Sequence, residues 1–288
     1  MSTKHHLEKT TWRSDVYYQM AQKGSLDVKH PGMVLLKSIA GKSAKILDFG
    51  CGEGTRLNWI AANKKGSLGL DISQKGIELA RKKYPKLNFI KADLEKVPLK
   101  DASFDLVYSA YVLEHLSDPE KVLGEAIRLL EPNGFLLLVA PNYGAPNRCS
   151  PPFKGSRQKK LIKGFLKDLS VLSFSSLSRK YAFIFPRKRE FSTRSPIRSG
   201  MTLHWNKVTP ISTNDKYDID WDTTIEPYIG SLINFLKSHK FKIIQGNSCW
   251  SQELPNVKLH QKLFRFLGEK NIYPFKYWGP HLVVLAQK

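Results

Sequence analysis

Three closely spaced glycines follow a short apolar run near residue 50. The run Ile46 to Phe49 is typical of a buried strand, and Gly50, Gly52 and Gly54 come directly after it. Glycine lets the backbone turn sharply and approach a ligand closely, because no Cβ lies in the way. Asp71 ends the next apolar run, where a second strand would present its carboxylate to ribose hydroxyls. The spacing therefore predicts a site for a nucleoside cofactor.

The glycine spacing argues against a dinucleotide. The fingerprint G-x-G-x-x-G would need a glycine at position 55, which is Thr55. The spacing is instead G-x-G-x-G, with Asp48 inside the strand and Glu53 inside the turn. A pyrophosphate binds backbone amides and positive charge at a helix N-terminus, so carboxylates suit it poorly. A positively charged nucleoside is the expected ligand.

The stretch from Ile46 to Gly54 resembles motif I of the class I S-adenosylmethionine-dependent methyltransferases. Further stretches resemble that family in its own order: Leu70–Ser73 the ribose-binding strand end, Lys91–Leu94 the adenine-contacting turn, Phe104–Pro119 the fourth strand with its loop, and Leu129–Val139 the fifth strand with its turn. The resemblance is strong over residues 40–142, loose beyond them, and nearest to the small-molecule enzymes of quinone and glycan biosynthesis. It implies S-adenosylmethionine as cofactor and an α/β fold, a Rossmann-like, doubly wound, seven-stranded, mostly parallel sheet with a basic insertion after the fifth strand.

The resemblance also assigns roles to residues. Asp71 would accept hydrogen bonds from the ribose hydroxyls, Asp93 and Leu94 would face the adenine, and Ala110 would lie beside the cofactor. The cofactor-binding residues implied in this way are Asp48, Gly50, Cys51, Gly52, Gly54, Asp71, Ile72, Asp93, Leu94 and Ala110. Ordinary structural roles compete with these assignments: Asp71 could cap a helix, and Asp93 could stabilise a turn after a strand.

Glu114 and His115 stand in the loop that, in the resembling family, lies under the methyl group. Asp118 and Pro119 follow as an N-cap and a first-turn proline, which predicts the start of a helix. His115 is the candidate catalytic residue, a general base for a hydroxyl acceptor. The alternative is a structural histidine that fixes the loop.

Composition sets the broad class. No apolar run reaches the roughly 18 residues that a membrane span requires, and residues 1–6 have no apolar signal segment. Cys51, Cys149 and Cys249 are scattered, which suggests neither a disulfide framework nor a metal cluster. A cytoplasmic location is expected, with peripheral association at the inner face of the membrane as an option. Trp12 and Tyr17 are interpreted as packing the N-terminal segment, or as part of a lid.

Apolar runs that alternate with helical patterns predict parallel strands with helical crossovers. Strands are predicted at about 45–49, 66–70, 87–91, 104–109 and 134–140, and helices at about 55–63, 74–83 and 120–130. The predicted segments are an N-terminal helical segment at 1–40, the cofactor-binding core at 41–142, the insertion at 143–224, and the completion of the sheet at 225–288. In that last segment we expect a helix over 225–239, another over 257–267, and an antiparallel pair of strands near 241–244 and 281–285.

Positive charge is concentrated in the insertion. The chain has a net charge of +21, and Arg148 to Lys207 holds 15 Lys or Arg against two acids, which is +13. A basic amphipathic pattern over 159–169 and the aromatic run Tyr181–Phe185 would suit an anionic membrane surface, nucleic acid or a polyanionic acceptor. The alternative is a cap over the acceptor pocket with a solvated basic face.

An acidic patch follows the insertion. Asp215, Asp218, Asp220 and Asp222 alternate with other residues, including Ile219 and Trp221. This pattern predicts an exposed edge strand whose carboxylates pair with the basic insertion.

The expected function is methyl transfer from S-adenosylmethionine to a small-molecule, saccharide or lipid-linked acceptor, at oxygen. A nucleic-acid (RNA) methyltransferase is the alternative, disfavoured because the loop at Ser109–Val112 lacks the Asn/Asp-Pro-Pro-aromatic motif of base-nitrogen enzymes. A non-catalytic cofactor-binding protein is the third reading.

Overall fold

The structure is a computed structural model, and it describes residues 7, 11–25, 27–145, 148, 150–152, 203, 205–210, 220–250 and 259–288. Most of the predicted basic insertion lies outside these described residues, as do Cys149, Asp215 and Asp218.

A mixed sheet of seven strands forms the centre of the fold. In chain order the strands are β1 (Ile46–Phe49), β2 (Leu68–Asp71), β3 (Asn88–Lys91), β4 (Phe104–Ala110), β5 (Leu130–Pro141), β6 (Asn206–Lys207), β7 (Ile225–Glu226), β8 (Lys242–Cys249) and β9 (His281–Gln287). The sheet order is β3-β2-β1-β4-β5-β9-β8, and β6 and β7 form a separate two-stranded ribbon. The first five strands run parallel, whereas β9 runs antiparallel to both β5 and β8. This confirms the predicted Rossmann-like, mostly parallel sheet with an antiparallel pair at its end; the predicted basic insertion stays a prediction.

Helices cover both faces of the sheet. They are α1 (Asp15–Ser25), α2 (Pro31–Lys42), α3 (Thr55–Ala61), α4 (Gln74–Lys83), α5 (Pro119–Leu129), α6 (Ile229–Ser238) and α7 (Leu259–Glu269). The Asp118 side chain accepts from the Lys121 amide ahead of Pro119, as the N-cap pattern predicts. The Ser73 side chain caps α4 in the same way. Two apolar clusters of buried side chains make up the core.

The sheet order reverses direction at β1. The chain moves outward from β1 to β2 and β3, then returns to place β4 on the other side of β1. In sheets of this type ligands bind outside the carboxyl ends of the strands at such a reversal. Gly50 and Tyr111, which follow β1 and β4, are therefore placed at the position where a ligand is expected.

Two element boundaries differ from the predictions. Strand β5 begins at Leu130, before the predicted turn, and its register with β4 shifts between Phe104 and Leu106. Asn133 lies inside this span in the left-handed region at φ 65°, so the turn residues form an irregularity within the strand. Helix α6 begins at Ile229 rather than near Ile225, because Ile225 and Glu226 pair with β6.

Within the described part of the chain, no helix combines the length and the apolar character that crossing a membrane requires.

Candidate functional site

A cavity of about 380 Å³ opens at the carboxyl ends of β1, β2 and β4. Its size lies in the range of small-molecule sites, about 300–1,000 Å³. The predicted residues that line it are Gly50, Cys51, Gly52, Asp71, Ile72, Asp93, Leu94, Ala110 and His115. The fold therefore brings together nine residues that come from five separate stretches of sequence.

The turn from Gly50 to Gly54, which we call the glycine turn, has backbone angles that favour glycine. The φ angles are 98° at Gly50, 53° at Gly52 and 81° at Gly54. A Cβ on Gly50 would lie 2.4 Å from Val112 Cγ2, whereas a Cβ on Gly52 would meet its nearest atom, in Tyr18, at 4.0 Å. The amides of Gly50 and Cys51 both donate to the Leu70 carbonyl oxygen at 2.8 Å. These bonds fix the glycine turn against the end of β2.

Asp71 connects the glycine turn to the next strand. Its Oδ2 accepts a hydrogen bond from the Gly52 amide, and its Oδ1 accepts one from the Ser73 amide, both at 2.8 Å. Burial raises the pKa of Asp71, and the hydrogen bonds that the Ser73 and Gly52 amides donate to it oppose that rise. Each carboxylate oxygen can accept a second hydrogen bond. The side chain can therefore hold the turn and still receive two ligand hydroxyls. The helix cap considered as an alternative is Ser73, not Asp71.

Asp48 and Gly54 do not line the cavity. Asp48 is fully buried in β1, and neither of its carboxylate oxygens completes a hydrogen bond of normal geometry. Burial raises the pKa of Asp48 to about 7, although Arg56 and the nearby Tyr108 hydroxyl oppose the shift. A Cβ on Gly54 would lie 2.7 Å from the Phe89 ring. In the structure these two residues support the glycine turn from behind.

Aromatic residues from the N-terminal segment form one wall. Trp12, Tyr17 and Tyr18 all line the cavity. The Tyr18 hydroxyl donates to Ser73 Oγ at 2.5 Å, and Ser73 Oγ donates to the Trp12 carbonyl at 2.9 Å. The N-terminal segment is thus tied to the start of α4. The packing and lid interpretations of Trp12 and Tyr17 are compatible, because rings that pack the N-terminal segment also line the cavity.

The loop after β4 and residues 220–222 bring together ionisable side chains that we call the carboxylate cluster: Glu114, Asp220 and Asp222 around His115. His115 Nδ1 lies 3.4 Å from Asp222 Oδ2 and 3.3 Å from the Asp222 carbonyl oxygen. Its Nε2 lies 3.8 Å from Glu114 Oε1. The Trp12 indole donates to Asp222 Oδ2 at 3.0 Å. His115, Glu114 and Asp220 line the cavity, whereas Asp222 lies behind them.

The predicted exposed edge strand is wrong for the two aspartates that the structure describes. Asp222 is fully buried, and Asp220 Oδ2 accepts a hydrogen bond from the Tyr143 hydroxyl at 2.5 Å. Among the described residues, their partners include His115, Trp12 and Tyr143. The alternating acidic pattern was misread because burial of a carboxylate depends on partners that are distant in sequence.

Electrostatics within the carboxylate cluster favour bound protons. Burial would lower the pKa of His115, but Asp222 and Glu114 outweigh it and raise that pKa to about 9. Burial raises the pKa of Glu114 to about 8, opposed by His115. Glu114 Oε2 is buried and makes no hydrogen bond. His115 is therefore a cation held by carboxylates in the free protein.

The cavity as a whole is acidic. Among the described residues that line it, seven are Asp or Glu, and one, Arg56, is Lys or Arg. Arg56 donates to the Ala110 carbonyl oxygen at 3.2 Å and lies over the Tyr111 ring. This lining contrasts with the chain's net charge of +21. It suits a sulfonium and disfavours a pyrophosphate.

Residues 47–138 match a family model described as a methyltransferase domain. This stretch of the chain resembles the S-adenosylmethionine-dependent methyltransferases. A probable S-adenosylmethionine-dependent methyltransferase of Mycobacterium tuberculosis is 34% identical over 154 residues, which is 52% of this chain and 55% of that protein. A demethylmenaquinone methyltransferase of Chlamydia pneumoniae is 35% identical over 137 residues, which is 46% of this chain and 59% of that protein. A crystal structure of an S-adenosylmethionine-dependent methyltransferase from Mesorhizobium loti covers 85% of this chain and 90% of its own, at 18% identity and a TM-score of 0.45.

The chain thus spans a little over half the length of these curated relatives. The match ends at residue 138 and includes the glycine turn, Asp71, Asp93 and His115. Asp220, Asp222 and Tyr143 fall beyond the methyltransferase domain as matched. Sequence reasoning missed their part in the site. The adjacent pair Glu114-His115 was the one local signal, and nothing in the sequence connected it to Asp222, which lies 107 positions after His115.

Proposed function

We propose that this protein transfers a methyl group from S-adenosylmethionine to a small-molecule acceptor. The observation that carries the proposal is the glycine turn, whose Gly50 and Gly52 approach the cavity beside the Asp71 carboxylate. Gly50, Cys51 and Gly52 would hold the methionine part, Asp71 the ribose, and Asp93 with Leu94 the adenine. Asp48 and Gly54 would support that binding from behind the turn.

S-adenosylmethionine supplies an electrophilic methyl group on a cationic sulfur when bound. In such a displacement the protein mainly aligns donor and acceptor in a water-poor pocket. Trp12, Tyr17 and Tyr18 exclude water on one side, and Ala110 with Leu116 forms an apolar edge on the other. His115 lies where it can receive the proton that a hydroxyl loses. Because its pKa is near 9, His115 must first release its own proton to act as a base.

The acceptor atom that we propose is oxygen. The Chlamydia pneumoniae relative is named for a quinone, demethylmenaquinone, which supports a small organic acceptor. Incubation with labelled donor and fractionated extract, followed by identification of the labelled fraction, tests the activity. Label in small molecules supports the proposal, whereas label that appears only in bulk RNA would replace it with the nucleic-acid alternative. A protein that binds S-adenosylmethionine in calorimetry but labels no fraction would be a cofactor-binding protein that lacks catalysis.

We also propose that the acceptor is reached at an anionic membrane surface. Helix α7 presents Leu259, Leu263 and Phe266, each more than half exposed, at a spacing that places them on one side of the helix. Lys262 and Lys270 flank this row and are exposed. Apolar side chains bordered by lysines are typical of helices that lie in the membrane interface.

Liposome flotation tests the membrane contact. Replacement of Leu263 and Phe266 by serine should reduce flotation with anionic vesicles but leave cofactor binding unchanged. Val34→Ser is the control, because Val34 is equally exposed, at 56%, on another helix. Equal flotation of both variants would rule out α7 as the contact.

A further inference from the structure

The carboxylate cluster contains an unused acceptor in a buried position. Glu114 is 1% exposed, and its Oε2 has no hydrogen-bond partner. The other two carboxylates each have a donor: the Trp12 indole for Asp222 and the Tyr143 hydroxyl for Asp220. A buried polar atom without a partner costs free energy that a suitable donor would recover. Glu114 lines the cavity, so a ligand in the cavity can supply that donor.

The charge balance selects the kind of donor. Three carboxyl groups surround one imidazole, and in the free protein burial raises the pKa of Glu114 to about 8, so Glu114 holds a proton near neutral pH. A cation beside Glu114 would lower that pKa and release the proton, which leaves three carboxylates against one imidazolium. Asp222 faces His115 and lies behind the cavity wall, whereas Glu114 and Asp220 line the cavity itself. A neutral hydroxyl would fill one hydrogen bond but leave the excess charge. A positively charged donor would both fill the hydrogen bond and balance the negative charge. Hydrogen bonds between ionised groups are also roughly twice as strong as neutral ones.

We propose that the methyl acceptor carries an ammonium group, and that Glu114 and Asp220 bind this group beside the reacting atom. The inference rests on the proposed function, because it assigns the carboxylate cluster to the acceptor. It concerns what anchors the acceptor, and the methylated atom stays oxygen as proposed above. An anionic acceptor, one of the options raised by the basic insertion, would meet like charges in the cavity. An amino alcohol or an amino sugar has the required chemistry.

A matched series of probes tests the charge of the acceptor. The compounds are 2-phenylethylamine, 2-phenylethanol and 3-phenylpropionate, which differ in a cationic, neutral or anionic end group. Each is titrated by calorimetry into the intact protein with S-adenosylhomocysteine present. We expect the amine to bind about tenfold more tightly than the alcohol or better, the gain from one charge-assisted hydrogen bond, and the carboxylate to bind most weakly. An alcohol that binds as tightly as the amine would overturn the proposal.

Variants locate the preference within the cavity. Glu114→Gln and Asp220→Asn should each reduce the amine-to-alcohol ratio severalfold, whereas Glu78→Gln, which removes a carboxylate on the exposed face of α4, should leave it unchanged. Thermal unfolding and S-adenosylhomocysteine binding check that each variant is folded. A ratio that survives both cavity variants would place the amine elsewhere and overturn the assignment. Failure of the proposed function gives a different result, the absence of S-adenosylhomocysteine binding by the unaltered protein.

Discussion

The glycine turn and the carboxylate cluster both contribute to one cavity but are built in different ways. The glycine turn is built from backbone: its three glycines have positive φ angles, and the Gly50 and Cys51 amides donate to the next strand. The carboxylate cluster is built from side chains that are distant in sequence: Asp222 contacts His115, 107 residues away, and Trp12, 210 residues away. Backbone geometry fixes a ligand's position, whereas a buried group of charges determines which ligand and which proton are accepted.

The family match covers the glycine turn and the carboxylate cluster to different extents. Residues 47–138 include the whole glycine turn and only Glu114 and His115 of the carboxylate cluster. The part of the site that we assign to the cofactor is thus contained in the matched stretch. The part that we assign to the acceptor is completed by residues beyond it.

The largest expected effect comes from a methyl group on the glycine turn. Gly50→Ala should destabilise the protein by about 3 kcal/mol, from the left-handed backbone and from a clash with Val112. Gly52→Ala is the matched control, because its Cβ has space, and it should cost only about 1 kcal/mol. Urea unfolding measures both. Equal costs would mean that steric contact at Gly50 contributes nothing.

Removal of the charge at Asp71 should affect the glycine-turn side alone. Asp71→Asn keeps an oxygen for the Gly52 amide but loses the hydrogen bond from the Ser73 amide, so we expect the unfolding temperature to fall by a few degrees. Affinity for S-adenosylmethionine should fall about 10- to 100-fold, because hydrogen bonds to a charged acceptor are lost. Calorimetry reads the affinity, and Glu78→Gln serves as the charge control. Undiminished affinity would remove Asp71 from the ribose site.

A change at Asp222 should affect the carboxylate cluster alone. Asp222 raises the pKa of His115, so Asp222→Asn should lower that pKa from about 9 by roughly one unit or more. Nuclear magnetic resonance titration of the His115 ring measures the shift. Affinity for S-adenosylmethionine should not change. An unshifted His115 pKa would contradict the pairing seen in the structure.

The smallest effect is the pH dependence of stability. A group whose pKa is higher in the folded than in the unfolded state stabilises the protein below its unfolded pKa, and this contribution disappears as pH rises through the folded pKa. Glu114, with a pKa near 8, should therefore lower the free energy of unfolding as pH rises from about 4.5 to 8. Glu114→Gln removes that component. Its melting temperature should fall less over this range than that of the unaltered protein, by a few degrees, and parallel curves would refute the assigned pKa.

Much of the glycine-turn side could be predicted from the sequence. Glycine spacing, a strand before it and an acid at the end of the next strand are local patterns, and parallel strands bring their ends to one edge of the sheet. Those patterns predict Gly50, Gly52, Asp71 and Asp93 at one site, and all four line the cavity. They did not distinguish Asp48 and Gly54, because whether a residue faces a cavity or supports it from behind depends on packing.

The carboxylate cluster depended on tertiary structure. Asp220 and Asp222 carry no local signal of burial, and their spacing is equally compatible with an exposed strand, which was the wrong interpretation. The sequence by itself determined the sheet, the glycine turn and an acidic bias against a pyrophosphate, because these follow from local backbone and residue type. Only the fold decided that Trp12, His115 and Asp222 meet, since burying a charge requires partners that the chain supplies from distant segments.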